Sequence, residues 1–426
     1  MRSRNRKAAL SITGCCMAIF WSGYLAFGYP GIMSTFWQEK YNVGAAETGS
    51  VVTFMLFALA VSMFFSGRIH MKVGMRKCIL IGTAFNVTAM VIVMNAESIY
   101  GVYLWGFVVN LGCSFIYGPG LTTAQQWMPH RKGLASGILN LVFGTAAAVM
   151  SPVSNLLLET AGYDRMNKIL LVIIAATNIA AMFFAESPDK VHFTDQEKDA
   201  HKMVIEQAAA KNRKAGHAPA ADLSTGQAFR TKAFWIIWLV WVFMGAAGIS
   251  MVSLSGNYAV SLGLSGTAIL MAFNVVNGGG RIVAGVLSDV IGGERTGAIV
   301  FSLTAVAYAV MAGTGHTVPV VISAACVGFG FGTLFTITGP VLIDYFGLKY
   351  FGMIFGVTFT AYGFIGGIMG PALSGFILDK TGDNYAIVFS YLAVMAFTGA
   401  MLMLVLQKQR KHAVFKSSDL KRGGLK

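Results

Sequence analysis

Charge is scarce in this chain. Only 12% of its 426 residues are Asp, Glu, Lys or Arg, against about 25% in an ordinary soluble domain, so water is not its main solvent. All 18 acids fall between long apolar runs or at their ends, and so do 31 of the 32 basic residues. The five cysteines (Cys15, Cys16, Cys78, Cys113 and Cys326) include no CxxC pair. That excludes a disulfide framework or a cysteine zinc site, and the thiols read as small apolar packing residues. The seven histidines lie outside the apolar runs or at their ends, which leaves no buried metal cluster. No nucleotide-binding loop is present, so ATP-driven work has no support. No nucleophile–base–acid set lies in the apolar runs either. Neither an enzyme nor a cofactor is expected.

What is present is hydrocarbon. Apolar residues make up 55% of the chain, and an uncharged apolar run of about 18 or more residues can cross a bilayer as a helix. Twelve such runs are predicted, near 8–32, 48–66, 78–96, 99–126, 133–158, 169–185, 233–256, 265–288, 296–315, 317–342, 350–377 and 385–407. The first is too long for a cleaved signal peptide and has no cleavage site after it.

The net charge of +14 is distributed as topology rather than as a nucleic-acid patch. With the N-terminus inside and sides alternating, 27 Lys and Arg fall inside and only Lys40, Arg165, Lys168 and Lys380 fall outside. This places both termini in the cytoplasm by the positive-inside rule. It also implies contact with anionic membrane lipids rather than DNA or RNA. A multi-pass protein of the cell inner (plasma) membrane is expected, as a monomer.

The pattern breaks once, at a polar segment whose stretch 194–210 reads as a surface helix. It divides the chain into a six-span bundle (1–186), a cytoplasmic linker (187–232), a second six-span bundle (233–407) and a basic cytoplasmic tail (408–426). The halves match in register. Gly67, Gly74 and Lys77 shifted by 218 land on Gly285, Gly292 and Arg295, and Gly137, Gly144 and Pro152 shifted by 219 land on Gly356, Gly363 and Pro371. Parallel six-span repeats with a midplane site describe a secondary transporter.

The segments "GRIHMKVGMRK" (67–77) and "GVLSDVIGGER" (285–295) resemble the cytoplasmic turns of the major facilitator superfamily. "WMPHRKGLASGI" (127–138) and "FGVTFTAYGFIGG" (355–367) resemble its oxalate/formate antiporter and monocarboxylate transporter branch. The resemblance implies an all-α membrane fold of 12 transmembrane helices in two six-helix repeats. It also implies gating by Arg76, Lys77, Asp289 and Arg295 in the two turns. The first turn departs from the family in carrying Met71 where an Asp is usual, whereas the second keeps Asp289. An acid there sits near a helix N-terminus or a basic partner and holds one conformation closed, so the two gates are expected to be unequally latched.

The exceptional charge is Arg281, alone in the uncharged run 262–288. An arginine at mid-helix costs about 2.5–3.5 kcal/mol on insertion scales. A snorkelling side chain is one reading. Asn277, four residues earlier on the same face, and Asn274 a turn beyond favour a wet cavity instead. Gly278, Gly279 and Gly280 beside them serve either close packing or a hinge. Shifted by 218, Arg281 meets Met63, so the charge is not part of the duplicated scaffold.

A guanidinium fork matches a carboxylate with two parallel hydrogen bonds. In the resembled branch a second cation, a Lys in span 11, accompanies this Arg. Here that position is Tyr362, within Thr360-Ala361-Tyr362-Gly363. One cation suits one carboxylate, and the Tyr362 phenol can meet a hydroxyl or keto oxygen. Tyr24, Tyr117, Asn140, Phe335 and Phe359 fall at similar depth, with Phe331 one turn before Phe335. The expected cargo is a small carboxylate of the lactate, pyruvate or formate type. The expected mechanism is alternating access, by proton symport or by anion exchange of the oxalate/formate type. A non-transporting sensor on the same fold is the remaining alternative.

Overall fold

The described parts of the apolar runs fold as helix but for a few terminal residues, as they must where no water is available to satisfy backbone N–H and C=O groups. The structure is a computed structural model and describes residues 2–191, 193–214, 222–264 and 268–423. The start of the predicted eighth run (265–267), linker residues 192 and 215–221, and the last three residues of the basic tail lie outside the described residues. No strand occurs among those described.

Helix α1 (Arg2–Gly23) passes through a π-helical turn (Tyr24–Gly28) into α2 (Tyr29–Tyr41). There follow α3 (Ala45–Val73), α4 (Met75–Met94), α5 (Ile99–Trp127) and α6 (Lys132–Phe184). The linker holds α7 (Asp195–Lys214) and the short α8 (Thr225–Phe229). The second half contains α9 (Lys232–Ser261), α10 (Ala268–Ile291), α11 (Gly293–Gly313), α12 (Thr317–Phe346), α13 (Phe351–Thr360), α14 (Leu373–Thr381) and α15 (Tyr385–Gly423). Two consecutive π turns, Ala361–Gly366 and Ile368–Ala372, join α13 to α14.

Eleven continuous helical stretches among the described residues are long and apolar enough to cross a membrane. Two of the twelve predicted runs, near 133–158 and 169–185, fall within α6. Its 53 residues are two helices meeting at Gly162, where φ is 77° and ψ 169°. A straight helix of that length would span about 80 Å, more than twice the hydrocarbon thickness of about 30 Å.

The turn glycines report the internal repeat directly. Gly74 ends α3 and starts α4 at φ 80°, and Gly292, 218 residues on, ends α10 and starts α11 at φ 93°. A side chain is disfavoured in that left-handed region, so glycine is required at both equivalent turns. The predicted surface helix at 194–210 is α7, which runs four residues further.

The chain clusters into two units. The first comprises Met1–Met128, Ile138–Lys202 and Phe351–Val357; the second comprises Pro129–Gly137, Met203–Tyr350 and Thr358–Lys426. The first unit has a buried core of Trp21, Tyr24, Tyr29, Trp37 and Trp105 with surrounding aliphatics. The Tyr29 ring lies 5.1 Å from Trp105, and its hydroxyl donates to Asn167 Oδ1 at 2.6 Å. That bond satisfies the polar end of an otherwise apolar ring. In the second unit α10 packs on α12 and α11 on α15.

Candidate substrate site

The second unit brings α10 and α12 close enough to bury a charge. Gly328 and Gly332, one turn apart on α12, face the α10 backbone. A Cβ built on Gly328 would fall 2.1 Å from the Phe273 carbonyl oxygen, and one on Gly332 would fall 2.5 Å from that of Asn277. Only glycine permits this approach, the small-xxx-small packing of membrane helices. The next turn of α10 then sets Arg281 against the next turn of α12, which carries Phe335.

Arg281 is 3% exposed, so its side chain is covered by protein. Its Nε and Nη2 donate to Asn277 Oδ1 at 3.4 and 3.2 Å, and its guanidinium carbon lies 5.3 Å from the centroid of the Phe335 ring. The i, i+4 amide orients the fork, and the ring face supplies a cation–π contact. The predicted polar stripe is graded in burial: Asn274 is exposed, Asn277 half-buried and Arg281 buried.

Further aromatic rings pack on Phe335. Phe335 lies 5.8 Å from Phe359 and 5.9 Å from Tyr362, and Phe331 lies 5.1 Å from Phe335. Tyr362 is 1% exposed, and its hydroxyl has no hydrogen-bond partner among the described residues. Its backbone lies in a π turn, with the Gly367 N–H donating to the Tyr362 carbonyl five residues back. Such turns recur at functional sites.

Sequence reasoning missed Trp241. It is fully buried, 4.7 Å from Phe359, 5.0 Å from Phe335 and 6.0 Å from Tyr362. Its indole N–H donates to Thr338 Oγ1 at 2.9 Å. The available signal was Gly245, one turn further along α9, where a Cβ would fall 2.9 Å from the Tyr362 ring. In sequence, Trp241 is the third tryptophan of "WIIWLVW" and looks like part of a membrane-interface belt.

The remaining predicted substrate contacts belong to the first unit and find their partners within it. Tyr117 donates to Asn140 Oδ1 at 2.6 Å, both residues being buried. The Tyr24 hydroxyl lies 2.6 Å from Ser154 Oγ. Tyr24 opens a π turn of its own, and the Tyr29 N–H donates to its carbonyl.

Among the predicted gating residues, Asp289 has the most built geometry. Its Oδ1 accepts from the Gly133 N–H at 2.8 Å and its Oδ2 from the Leu134 N–H at 2.9 Å. These are free donors in the first turn of α6, where the helix dipole favours an anion. Beside them Lys132 pairs with Asp344 at 2.9 Å. Arg76 pairs with Glu186 at 2.9 Å, while Arg295 and Lys77 are exposed.

An all-helical chain with a buried guanidinium set among aromatic rings in one of two repeats is the architecture of a membrane carrier. The description of the Major Facilitator Superfamily matches residues 10–371, and the chain belongs to that family. It is 24% identical over 359 residues to the oxalate:formate antiporter of Oxalobacter formigenes, covering 83% of this chain and 81% of that one. It is 23% identical over 373 residues to monocarboxylate transporter 11 of Mus musculus, covering 84% and 78%. Among solved structures it resembles the proton:xylose symporter XylE bound to 6-bromo-6-deoxy-D-glucose, with a TM-score of 0.69 at 12% identity, covering 95% of this chain and 96% of that chain. At that identity the likeness speaks for the fold alone. The family and fold are those of transporters, not enzymes.

Proposed function

We propose that this protein is a secondary transporter of small monocarboxylates that crosses the cell's inner membrane twelve times with both termini in the cytoplasm, and that Arg281 binds the carboxylate. The observation that carries this reading is the buried Arg281 guanidinium. Asn277 orients it, Phe335 faces it, and Phe359, Tyr362 and Trp241 pack with Phe335 as a set of rings suited to a short alkyl chain. The relatives named for oxalate, formate and monocarboxylates support the substrate class. Tyr362, where the resembled branch carries lysine, leaves one fixed cation for one carboxylate and offers a phenol to a hydroxyl or keto oxygen.

Coupling follows from charge. A monoanion crossing alone is subject to about 2.3 kcal/mol per 100 mV. Symport with one proton removes that term, as does exchange for another monoanion. Symport is the reading adopted here, with the substrate carboxylate, water or a tyrosine carrying the proton. Exchange is the second reading, favoured by the neutral amide of Asn277 beside the guanidinium and by the antiporter relative. Asp289 at the start of α6 acts as a latch in the alternating-access cycle.

Uptake of labelled lactate, pyruvate and formate into proteoliposomes, with and without a proton ionophore, tests both levels. Arg281→Gln should abolish uptake. Arg281→Lys, which keeps the charge but loses the fork, should reduce it at least about tenfold, the equivalent of one charge-assisted hydrogen bond of about 1.5–3 kcal/mol. Uptake by either variant at the parent rate would refute the assignment.

A further inference from the structure

The first turns of the linker helix α7 are bolted to the first unit by a seam of charged and polar side chains and backbone groups. Glu197 Oε1 accepts from Ser3 Oγ at 2.5 Å, and its Oε2 accepts from Lys7 Nζ at 2.8 Å and from the Thr194 N–H at 2.9 Å. One turn on, His201 Nδ1 accepts from Arg4 Nε at 3.2 Å. The second edge of Arg4 donates from Nη2 to the Trp127 carbonyl at 3.0 Å. Phe193 stacks on the His201 ring at 5.3 Å and 26°, and Trp127 meets that ring edge-on at 6.3 Å. The seam continues through Glu186, whose carbonyl accepts from Trp127 Nε1 at 2.8 Å and from Ser11 Oγ at 2.7 Å. Arg4, Trp127 and Glu197 are buried, so this is a packed joint and not a solvated tether.

An arginine can only donate. The Arg4–His201 bond therefore requires a bare Nδ1, and protonation of the ring replaces an acceptor with a second cation facing Arg4. We propose that the seam is an acid-sensitive clasp: a proton on His201 releases the first turns of α7 from the ends of α1 and α5.

The charged groups facing the ring divide cleanly. Arg4 comes from α1 and disfavours a protonated ring; Lys7, also from α1, is paired with Glu197. Glu197 comes from α7 itself and favours one, but its carboxylate is already engaged by Ser3, Lys7 and Thr194. From α5 comes Trp127, which carries no charge. Further along the seam Glu186 is paired with Arg76. Burial first and the Arg4 charge second hold His201 below its ordinary value of 6.5. The Lys7 and Ser3 hydrogen bonds hold the Glu197 carboxyl at about 2, so it stays ionised throughout the range in which histidine titrates.

The sign follows. The clasped state prefers neutral His201, so clasping is fully favoured above the free-histidine value and weakens as pH falls through and below it. The inference rests on the proposed orientation only for which compartment's pH is read, namely the cytoplasm. A carrier delivering carboxylate with a proton would acidify that side, and the clasp would respond to the product of transport.

Amide hydrogen exchange of the full chain in liposomes tests this without any transport assay. After correction for intrinsic rates, the amides of residues 195–203 should lose protection between pH 8 and pH 5.5, by up to about tenfold, the ceiling for one histidine with a free value near 6.5. His201→Gln offers a non-titrating acceptor and should keep protection at both pH values. His201→Lys carries a permanent cation and should show low protection at both. Flat protection in the parent protein, or the same pH response in His201→Gln, would overturn the proposal; the second result would point to His70, which lies 3.4 Å from Thr123 and Ser187 at the other end of the seam. Loss of uptake in an Arg281 variant leaves this readout untouched, so the two readings fail separately.

Discussion

Replacing three buried tyrosines by phenylalanine distinguishes a hydroxyl that holds the fold from one that meets cargo. Tyr24, Tyr117 and Tyr362 are each at most 2% exposed. The Tyr24 hydroxyl has Ser154 and the Tyr117 hydroxyl has Asn140 as partner, both at 2.6 Å. The Tyr362 hydroxyl meets no partner among the described residues. Deleting one side of a buried hydrogen bond strands the other, at about 1–3 kcal/mol in soluble proteins. Between membrane helices the measured average is nearer 0.6 kcal/mol. Tyr24→Phe and Tyr117→Phe should therefore destabilise the empty carrier by about 0.6–2 kcal/mol, and Asn140, itself fully buried, puts the second toward the upper end. Tyr362→Phe breaks no bond between protein groups and should leave the empty carrier as stable as the parent.

With substrate the order reverses. A phenol donating to the α-oxygen of lactate or pyruvate contributes about 0.5–1.5 kcal/mol, a loss of about 2- to 12-fold in affinity in Tyr362→Phe. Acetate and formate lack that oxygen and should bind unchanged. Apparent unfolding temperatures of the four proteins in detergent, with and without each acid, read both effects, and counterflow in proteoliposomes gives the half-saturation constants. The reasoning fails if Tyr362→Phe destabilises the empty protein as much as Tyr117→Phe does. It also fails if affinity for lactate and acetate falls together.

Asp289→Asn keeps one acceptor oxygen but loses the charge at the start of α6. It should raise exchange at the Gly133 and Leu134 amides about fivefold or more, for a loss of about 1 kcal/mol. The reverse change, Met71→Asp, places an acid at the equivalent point of the first repeat and should slow exchange at the Gly352 and Met353 amides; unchanged rates would remove the latch argument. In the glycine triplet of α10, a Cβ on Gly279 meets nothing within 4 Å, while one on Gly280 would fall 2.5 Å from the Phe329 ring. Gly279→Ala should be near neutral in unfolding temperature and uptake, and Gly280→Ala should lower both. Equal behaviour would mean that this triplet serves a hinge and not packing.

Much of this architecture was legible because the membrane leaves the chain few options. An apolar run has to be helix, and Gly74 and Gly292 can be paired by spacing before their backbone angles are known. The four-residue spacing put Asn277 and Arg281 on one helix face, as their hydrogen bond requires; the wet cavity expected there is not what the buried guanidinium shows. What stayed hidden depends on backbone detail or on distant packing. The π turns at Tyr24–Gly28 and Ala361–Ala372 have no periodic signature; their visible correlates are Pro30 just after the first and Pro371 inside the second, each lacking the N–H that a regular α-helix would use. Trp241 joins the aromatic cluster only because α9 meets the widened turn at Tyr362. Phe351–Val357 and Pro129–Gly137 cluster with the opposite unit from the rest of their own helices, which no local pattern announces.

The duplicated backbone separates what both repeats share from what one repeat alone carries. A Cβ on Gly137 would fall 2.7 Å from the Arg281 carbonyl oxygen, and one on Gly356 would fall 2.8 Å from that of Met63. A Cβ on Gly285 would meet the Gly133 carbonyl at 2.4 Å, and one on Gly67 would meet that of Gly352 at 2.7 Å. Each second-unit contact recurs in the first unit at a shift of 218 or 219, so the close helix crossings are common to both repeats. The side chains on these crossings differ. Position 63 carries a buried methionine where position 281 carries the guanidinium, and position 71 carries an exposed methionine where position 289 carries the capping carboxylate. If the crossings alone required a charge, both repeats would bear it. Packing accounts for the glycines in either unit, and a charge found in one repeat only, on a backbone present in both, is left to be explained by what that unit binds and how it is latched.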